Sequence, residues 1–164
     1  MILTTISAAD LPEVWALNQA HVPHVGNVDA PALEAIWRAS AVSVLLRDEV
    51  GVAGFLLAME PDAPYASPNF RWFCTRGGRF LYVDRLAVAA RCQGLGLGRR
   101  LYDEVFLVAR RRGLDAVTCE VNTLPPNPGS LAFHARLGFR KVGSVVYAPG
   151  EKAVAMLEAR VAAS

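Results

Sequence analysis

The spacing of apolar residues changes period repeatedly along this chain, and each change marks an element. Ile2 to Ile6 reads as a short strand, and Ser7 or Asp10 can cap a following helix that carries Leu11, Val14, Trp15 and Leu17. After a loop with Pro23 and Gly26, Ala30 to Ala39 predicts a second short helix. The apolar runs Val42 to Leu46 and Val50 to Met59 pair as a hairpin turning near Asp48-Glu49. Glu60 to Gly78 loses the period: Pro61, Pro64, Pro68, Gly77 and Gly78 punctuate Tyr65, Phe70, Trp72 and Phe73, which predicts an ordered loop.

Phe80 to Val88 reads as a strand again, with Phe80, Tyr82, Asp84, Leu86 and Val88 on one face and Leu81, Val83, Arg85 and Ala87 on the other. A glycine turn leads directly into a helix with Leu97, Leu101, Val105 and Val108 at helical spacing, closed by Gly113. Val117 to Val121 is the next strand, and this strand-helix-strand unit implies a parallel, right-handed crossover. Pro125, Pro126 and Pro128 precede a helix bearing Leu131, Phe133 and Leu137 that ends at Gly138, and Phe139 to Tyr147 with Ala153 to Leu157 form a last strand pair. Strands and helices thus mix in an α/β pattern without internal repeat or linker.

Composition narrows the class. With 164 residues, 53% of them hydrophobic and 20% charged, the chain is expected to form a single domain over residues 1–164 that buries a core unaided. A net charge of +2 gives no global argument for nucleic acid or an anionic membrane. Cys74, Cys92 and Cys119 lie far apart and are odd in number, which argues against disulfides and zinc and for a reducing, cytoplasmic setting. The N-terminus lacks an export signal, and no apolar run reaches the 18 or so residues of a membrane span.

The candidate chemistry concentrates between Leu86 and Leu101. Glycines let the backbone approach a ligand closely, and the free amides of a helix's first turn attract anions. A P-loop is excluded because Arg99-Arg100 stands where Lys-Ser/Thr is needed, and the dinucleotide fingerprint is excluded because Gly94, Gly96 and Gly98 alternate. Arg110, Arg111 and Arg112 suit a helix C-terminus, but Arg99 and Arg100 stand at the end where the dipole disfavours cations, a conflict that a bound polyphosphate resolves.

The remaining pattern, Gln93-x-x-Gly96-x-Gly98 after a strand ending at Val88, resembles the acyl-CoA pyrophosphate loop of the GNAT acetyltransferase superfamily. Asn127 to Phe139, a helix ending in Leu-Gly-Phe, is similar to a second signature of that family, and with Glu120-Val121-Asn122 the likeness spans Phe80 to Tyr147. The resemblance implies an α/β (α+β) GNAT fold: a mixed, mostly antiparallel, splayed sheet of six to seven strands flanked by about four helices. It implies that acetyl-CoA lies between the fourth and fifth strands, with main chain at Leu86 and Val88 holding the pantetheine and thioester. The amides of Gln93, Gly94, Leu95, Gly96, Leu97, Gly98 and Arg99 would take the pyrophosphate, and Asn127 and Ser130 would contact the pantetheine arm. Helix capping is the alternative role for the last two. The arginines near the loop are better explained by the phosphates of CoA than by nucleic acid.

Aminolysis of a thioester needs a neutral amine, oxyanion donors and a proton for sulfur. The family commonly carries a tyrosine acid on the helix after the fifth strand; here His134 occupies that position. Histidine, with a pKa near about 6.5, is the stronger acid but is mostly unprotonated at neutral pH, which implies a pH-sensitive rate. A merely capping or space-filling His134 is the other reading. Glu120 and Asp84 are the candidate bases. Glu120 matches a glutamate of the N-terminal acetylase branch and is flanked by Cys119 and Val121, neighbours that would raise its pKa. Asp84 could act through water, or could pair with Arg85.

Tyr65 to Phe73 with His21-Val22-Pro23-His24 is similar to a bacterial subgroup of the family without an assigned substrate. Asn69, Arg71 and Trp72 are candidates for the acceptor pocket, Arg71 being suited to a carboxylate; an aromatic loop packed on the core or in a homodimer interface is the alternative. Two histidines do not make a metal site. The expected activity is acetyl transfer from acetyl-CoA to a primary amine of a small molecule, amino acid or peptide N-terminus, without metal, nucleic acid or membrane. A catalytically silent acyl-CoA-binding module is the competing reading, kept open by the missing tyrosine.

Overall fold

The computed structural model describes residues 1–162. Seven strands form one sheet in the order β1-β2-β3-β4-β5-β7-β6: β1 (Ile2–Thr5), β2 (Val42–Arg47), β3 (Val52–Met59), β4 (Phe80–Val88), β5 (Ala116–Leu124), β6 (Arg140–Ala148) and β7 (Lys152–Arg160). Every neighbouring pair is antiparallel except β4 with β5. The parallel pair is joined through α4 (Leu97–Arg111), as the strand-helix-strand pattern requires. α1 (Leu11–Ala20), α2 (Ala30–Ala39), α3 (Pro68–Arg76) and α5 (Pro128–Arg136) complete the fold.

The core lies on both faces of the sheet. Leu56, Leu81, Val83, Leu101 and Val105 belong to the cluster under α4, and Phe55, Leu57, Phe73, Tyr82 and Met156 to the one under α1, α2 and α3. β3 is buried along its whole length, consistent with a strand covered on both faces.

Two expectations are corrected. Glu60 to Gly78 is not a loop throughout: Pro68 to Arg76 is a helix, so five helices flank the sheet. Proline at the first turn costs no intrahelical bond, and the Ser67 hydroxyl accepts from the Phe70 amide, so the residue that reads as a breaker opens the helix. Phe70 and Phe73, three apart, bury one face against Tyr82. Secondly, the alternation along β4 breaks at Asp84. Leu57 pairs with Arg85 but Ala58 with Val83, leaving Asp84 as the extra residue of a β-bulge. Beyond it the faces exchange: Ala87 joins Tyr82 in the α1–α3 cluster, while Leu86 and Val88 pack on the α4 side.

Trp72 of α3 lies against the backbone of β6, where a Cβ on Gly143 would overlap its ring. Gly143→Ala is therefore expected to destabilise the fold by about 1–3 kcal/mol through overpacking, and Trp72→Phe in the same chain to recover part of that loss. Denaturant unfolding of the two variants checks it; an alanine as stable as glycine would place Trp72 elsewhere.

Candidate active site

β4 and β5 pair only at Phe80↔Ala116, Leu81↔Val117 and Tyr82↔Thr118, although the strands continue to Val88 and Leu124. Beyond the third pair the sheet splits, leaving one edge of each strand open to a ligand. The glycine turn stands at the far end of β4. Gly94 and Gly96 adopt φ of 79° and 77°, a conformation that suits glycine, and Gly96 is the N-cap of α4. The first main-chain bond of that helix runs from the Arg100 amide to the Gly96 carbonyl. The amides from Gly94 to Arg99 consequently have no acceptor among the described residues. Gly98 serves a different purpose, since a Cβ there would come within 3.0 Å of Phe133 Cζ and push α5 away from α4.

A cavity of about 280 Å³ opens from the split. One wall consists of Leu86, Tyr102, Cys119, Ser130, Phe133 and His134; the other of Pro23 to Gly26, Tyr65, Ser67 and Asn69; Asp84, Arg85 and Glu120 lie between them. The bulge determines what the two β4 charges do. Arg85 Nε donates to Asp84 Oδ2 at 2.7 Å, with both side chains at most 5% exposed. Arg85 Nη1 also donates to Asn18 Oδ1 at 2.9 Å and to the Gly26 carbonyl at 3.2 Å, and the Tyr65 hydroxyl donates to Asp84 Oδ1 at 2.7 Å. Both Asp84 oxygens are thus engaged, one in an ion pair, and the network ties α1, the α1–α2 loop and the segment before α3 to one strand.

Glu120 has no cationic partner among the described residues. Its Oε2 accepts from the Tyr82 hydroxyl at 2.7 Å, and Asn69 reaches the same carboxylate. Burial, then the charge of Asp84, raises its pKa to about 7, with the Tyr82 hydrogen bond opposing them. Burial also pushes the Tyr82 phenol well up, keeping it a donor.

His134 is buried and makes two short hydrogen bonds, with the Ser130 hydroxyl a further 3.3 Å contact to Nδ1. Nδ1 lies 2.7 Å from the Ser130 carbonyl and Nε2 lies 2.8 Å from the Tyr102 hydroxyl. A carbonyl only accepts, so Nδ1 carries the ring proton and Nε2 accepts from Tyr102. Burial lowers the His134 pKa, which keeps the ring neutral at pH 7. A neutral ring in this tautomer has no proton at Nε2 to give; the hydroxyl that faces Nε2 is that of Tyr102.

Of the residues singled out from sequence, Asp84, Leu86, Glu120, Ser130, His134 and Asn69 meet at the cavity, and Gln93 to Arg99 form the turn at the end of β4. Val88 lies in β4 between them, paired with Gly54. Asn127 caps α5, its side chain accepting from the Ser130 amide. Arg71 is exposed on α3 and Trp72 packs on β6; neither lines the cavity. Sequence reasoning missed Tyr102, Tyr65, Tyr82, Asn18 and Lys152. Tyr102 follows Leu101 in the apolar stripe of α4, and its hydroxyl, needing a buried partner, was the available signal.

The fold is shared with solved structures of low identity. The ribosomal-protein-S18-alanine N-acetyltransferase from Escherichia coli is 15% identical with a TM-score of 0.75, covering 99% of this chain and 95% of that one. Ard1 from Thermoplasma volcanium is 17% identical with a TM-score of 0.78, covering 98% and 97%. The structure of yncA from Salmonella typhimurium with its cofactor acetyl-CoA is 19% identical with a TM-score of 0.73, covering 100% and 95%. No curated protein matches the sequence. Residues 11–139 match the family described as the acetyltransferase (GNAT) family. Together with the split sheet and its amide-lined turn, this match establishes that the chain belongs to the GNAT acetyltransferases.

Proposed function

We propose that this protein transfers an acetyl group from acetyl-CoA to a primary amine of a small molecule, amino acid or peptide N-terminus, by direct attack in a ternary complex. The observation that carries the reading is Glu120: a carboxylate without a cationic partner among the described residues, between the two walls, whose pKa of about 7 suits a base at neutral pH. Acetyl-CoA supplies the activated acyl group and leaves as a thiol. The unpartnered amides of Gly94 to Arg99 fit its pyrophosphate, with Gln93 beside them. Main chain at Leu86 and Val88 fits the pantetheine and thioester, and Ser130 with Asn127 borders the same path. Asn69, beside Glu120, is the acceptor-side residue retained from the sequence reading.

Glu120 takes the proton that the acceptor nitrogen loses. Asp84, already paired with Arg85 and Tyr65, sets the shape of the pocket and raises the Glu120 pKa rather than serving as a second base. The proton for sulfur comes from Tyr102 Oη: the O–H turns from His134 Nε2, which holds it on the cofactor wall beforehand as a positioning residue, to the departing thiolate, and the tyrosinate is reprotonated from solvent once CoA leaves. Burial raises the Tyr102 pKa, so the phenol keeps its proton at neutral pH. A retained, tuned carboxylate weighs against a silent binding module. Three free thiols accord with a reducing, cytoplasmic location.

A base with a pKa of about 7 is active when ionised, so turnover is expected to rise as pH increases through about 7 and then level. Glu120→Gln should lower kcat by about 10²–10³-fold and remove that rise; a variant retaining the parent profile would take Glu120 out of the mechanism. Tyr102→Phe should lower kcat by about 10²-fold with little change in the KM for acetyl-CoA. His134→Gln, whose amide oxygen still accepts from Tyr102, should lose less than His134→Phe. Steady-state kinetics of the three variants decide it, and a Tyr102→Phe enzyme within about threefold of the parent would reject the tyrosine.

A further inference from the structure

Lys152 opens β7 and lines the cavity, yet no ion pair among the described residues includes it. Its ammonium stands 5.6 Å from the centroid of the Tyr147 ring, a contact that orients the side chain without cancelling its charge. The Tyr147 hydroxyl donates to Asn69 Oδ1, and Asn69 reaches the Glu120 carboxylate. A continuous line of side chains therefore runs from Glu120 to Lys152. The strand register agrees. Met156 pairs with Glu120 and Val154 with Asn122, and Lys152 lies on the same face of β7 two residues beyond Val154. At about 3.3 Å per residue, its Cα is roughly 13 Å along the strand from that of Met156.

Charge balance limits what can occupy the space between. Histidines aside, the carboxylates and cations lining the cavity are Asp84, Arg85, Glu120 and Lys152. Asp84 and Arg85 cancel each other at 2.7 Å. Glu120 is neutralised by the proton it takes or by the incoming ammonium. Lys152 alone stays uncompensated. A polycation would add positive charge to a site already carrying an unmatched cation, whereas an amine with a negative group elsewhere would complete it.

We propose that the acceptor is an amine that also bears a carboxylate several bonds from its nitrogen, and that Lys152 is the partner of that carboxylate; this rests on the acetyl-transfer reading above. One lysine matches a singly charged carboxylate, while a phosphate dianion would call for a further cation. The carboxylate-binding role that the sequence suggests for Arg71 thus falls to Lys152, because α3 leaves Arg71 outside the cavity.

The test compares dipeptides with a free C-terminal carboxylate, the same dipeptides as C-terminal amides, and spermidine as acceptors, following thiol release. The acid and amide are also titrated into the CoA-saturated protein. The acid is expected to exceed the amide by about tenfold or more in kcat/KM, with spermidine the poorest. Lys152→Met should bring the acid-to-amide ratio to within about twofold of one, and Lys152→Arg should keep most of the preference. Amides or spermidine used as well as the acid, a ratio indifferent to Lys152→Met, or an absence of both binding and turnover would overturn the proposal. Binding that favours the acid without any thiol release would support the anion site and reject the transferase reading instead.

Discussion

The early end of pairing between β4 and β5 is the constraint on which the site depends. Three residue pairs hold the strands together, and past Tyr82 and Thr118 they diverge. Backbone polar groups freed in a protein interior must find partners, and here the split opens them to a cavity rather than to packed side chains. α4 and α5 can lie together on one side of the opening because Gly98 lets Phe133 come close. The same divergence keeps the wall formed by α4 and α5 apart from the wall that carries Tyr65, Ser67 and Asn69.

Within that opening, the distribution of charge assigns the roles. Two carboxylates occupy one cavity, but the bulge at Asp84 places Arg85 beside it and sends the guanidinium to Asn18 and Gly26. One carboxylate is thereby consumed by structure. Its charge and the burial of Glu120 raise the pKa of the other, leaving it able to accept a proton near neutrality. On the wall formed by α4 and α5 a similar division holds. The Ser130 carbonyl fixes the tautomer of His134, and that tautomer turns the ring from a donor into the acceptor that holds Tyr102.

Much of this was legible in the sequence, for identifiable reasons. Long periodic segments such as Leu97 to Val108 and the glycine turn before them carry local signals that tertiary contacts reinforce. The same holds for Leu131 to Phe139, where the helix cap and the closing glycine agree with the apolar pattern. α3 was hidden because Pro68 breaks a helix interior but opens a helix start, and the surrounding prolines and glycines favoured the first meaning. The bulge was hidden because nothing in the order of residues 80–88 marks an extra residue; only the pairing with β3 reveals it. Tyr102 was absorbed into the apolar stripe of α4, and Lys152 is one exposed cation among many until β7 carries it to the cavity rim.

The central claim is that the split sheet holds an acyl donor beside a working base. Thiol release from acetyl-CoA, measured with the unmodified protein across amino acids, short peptides, polyamines and aminoglycosides between roughly pH 6 and 9, tests it most directly. The account predicts turnover with one class of amine. Saturable binding of acetyl-CoA with no thiol release from any amine at any pH would contradict it and leave a binding module in place of an enzyme.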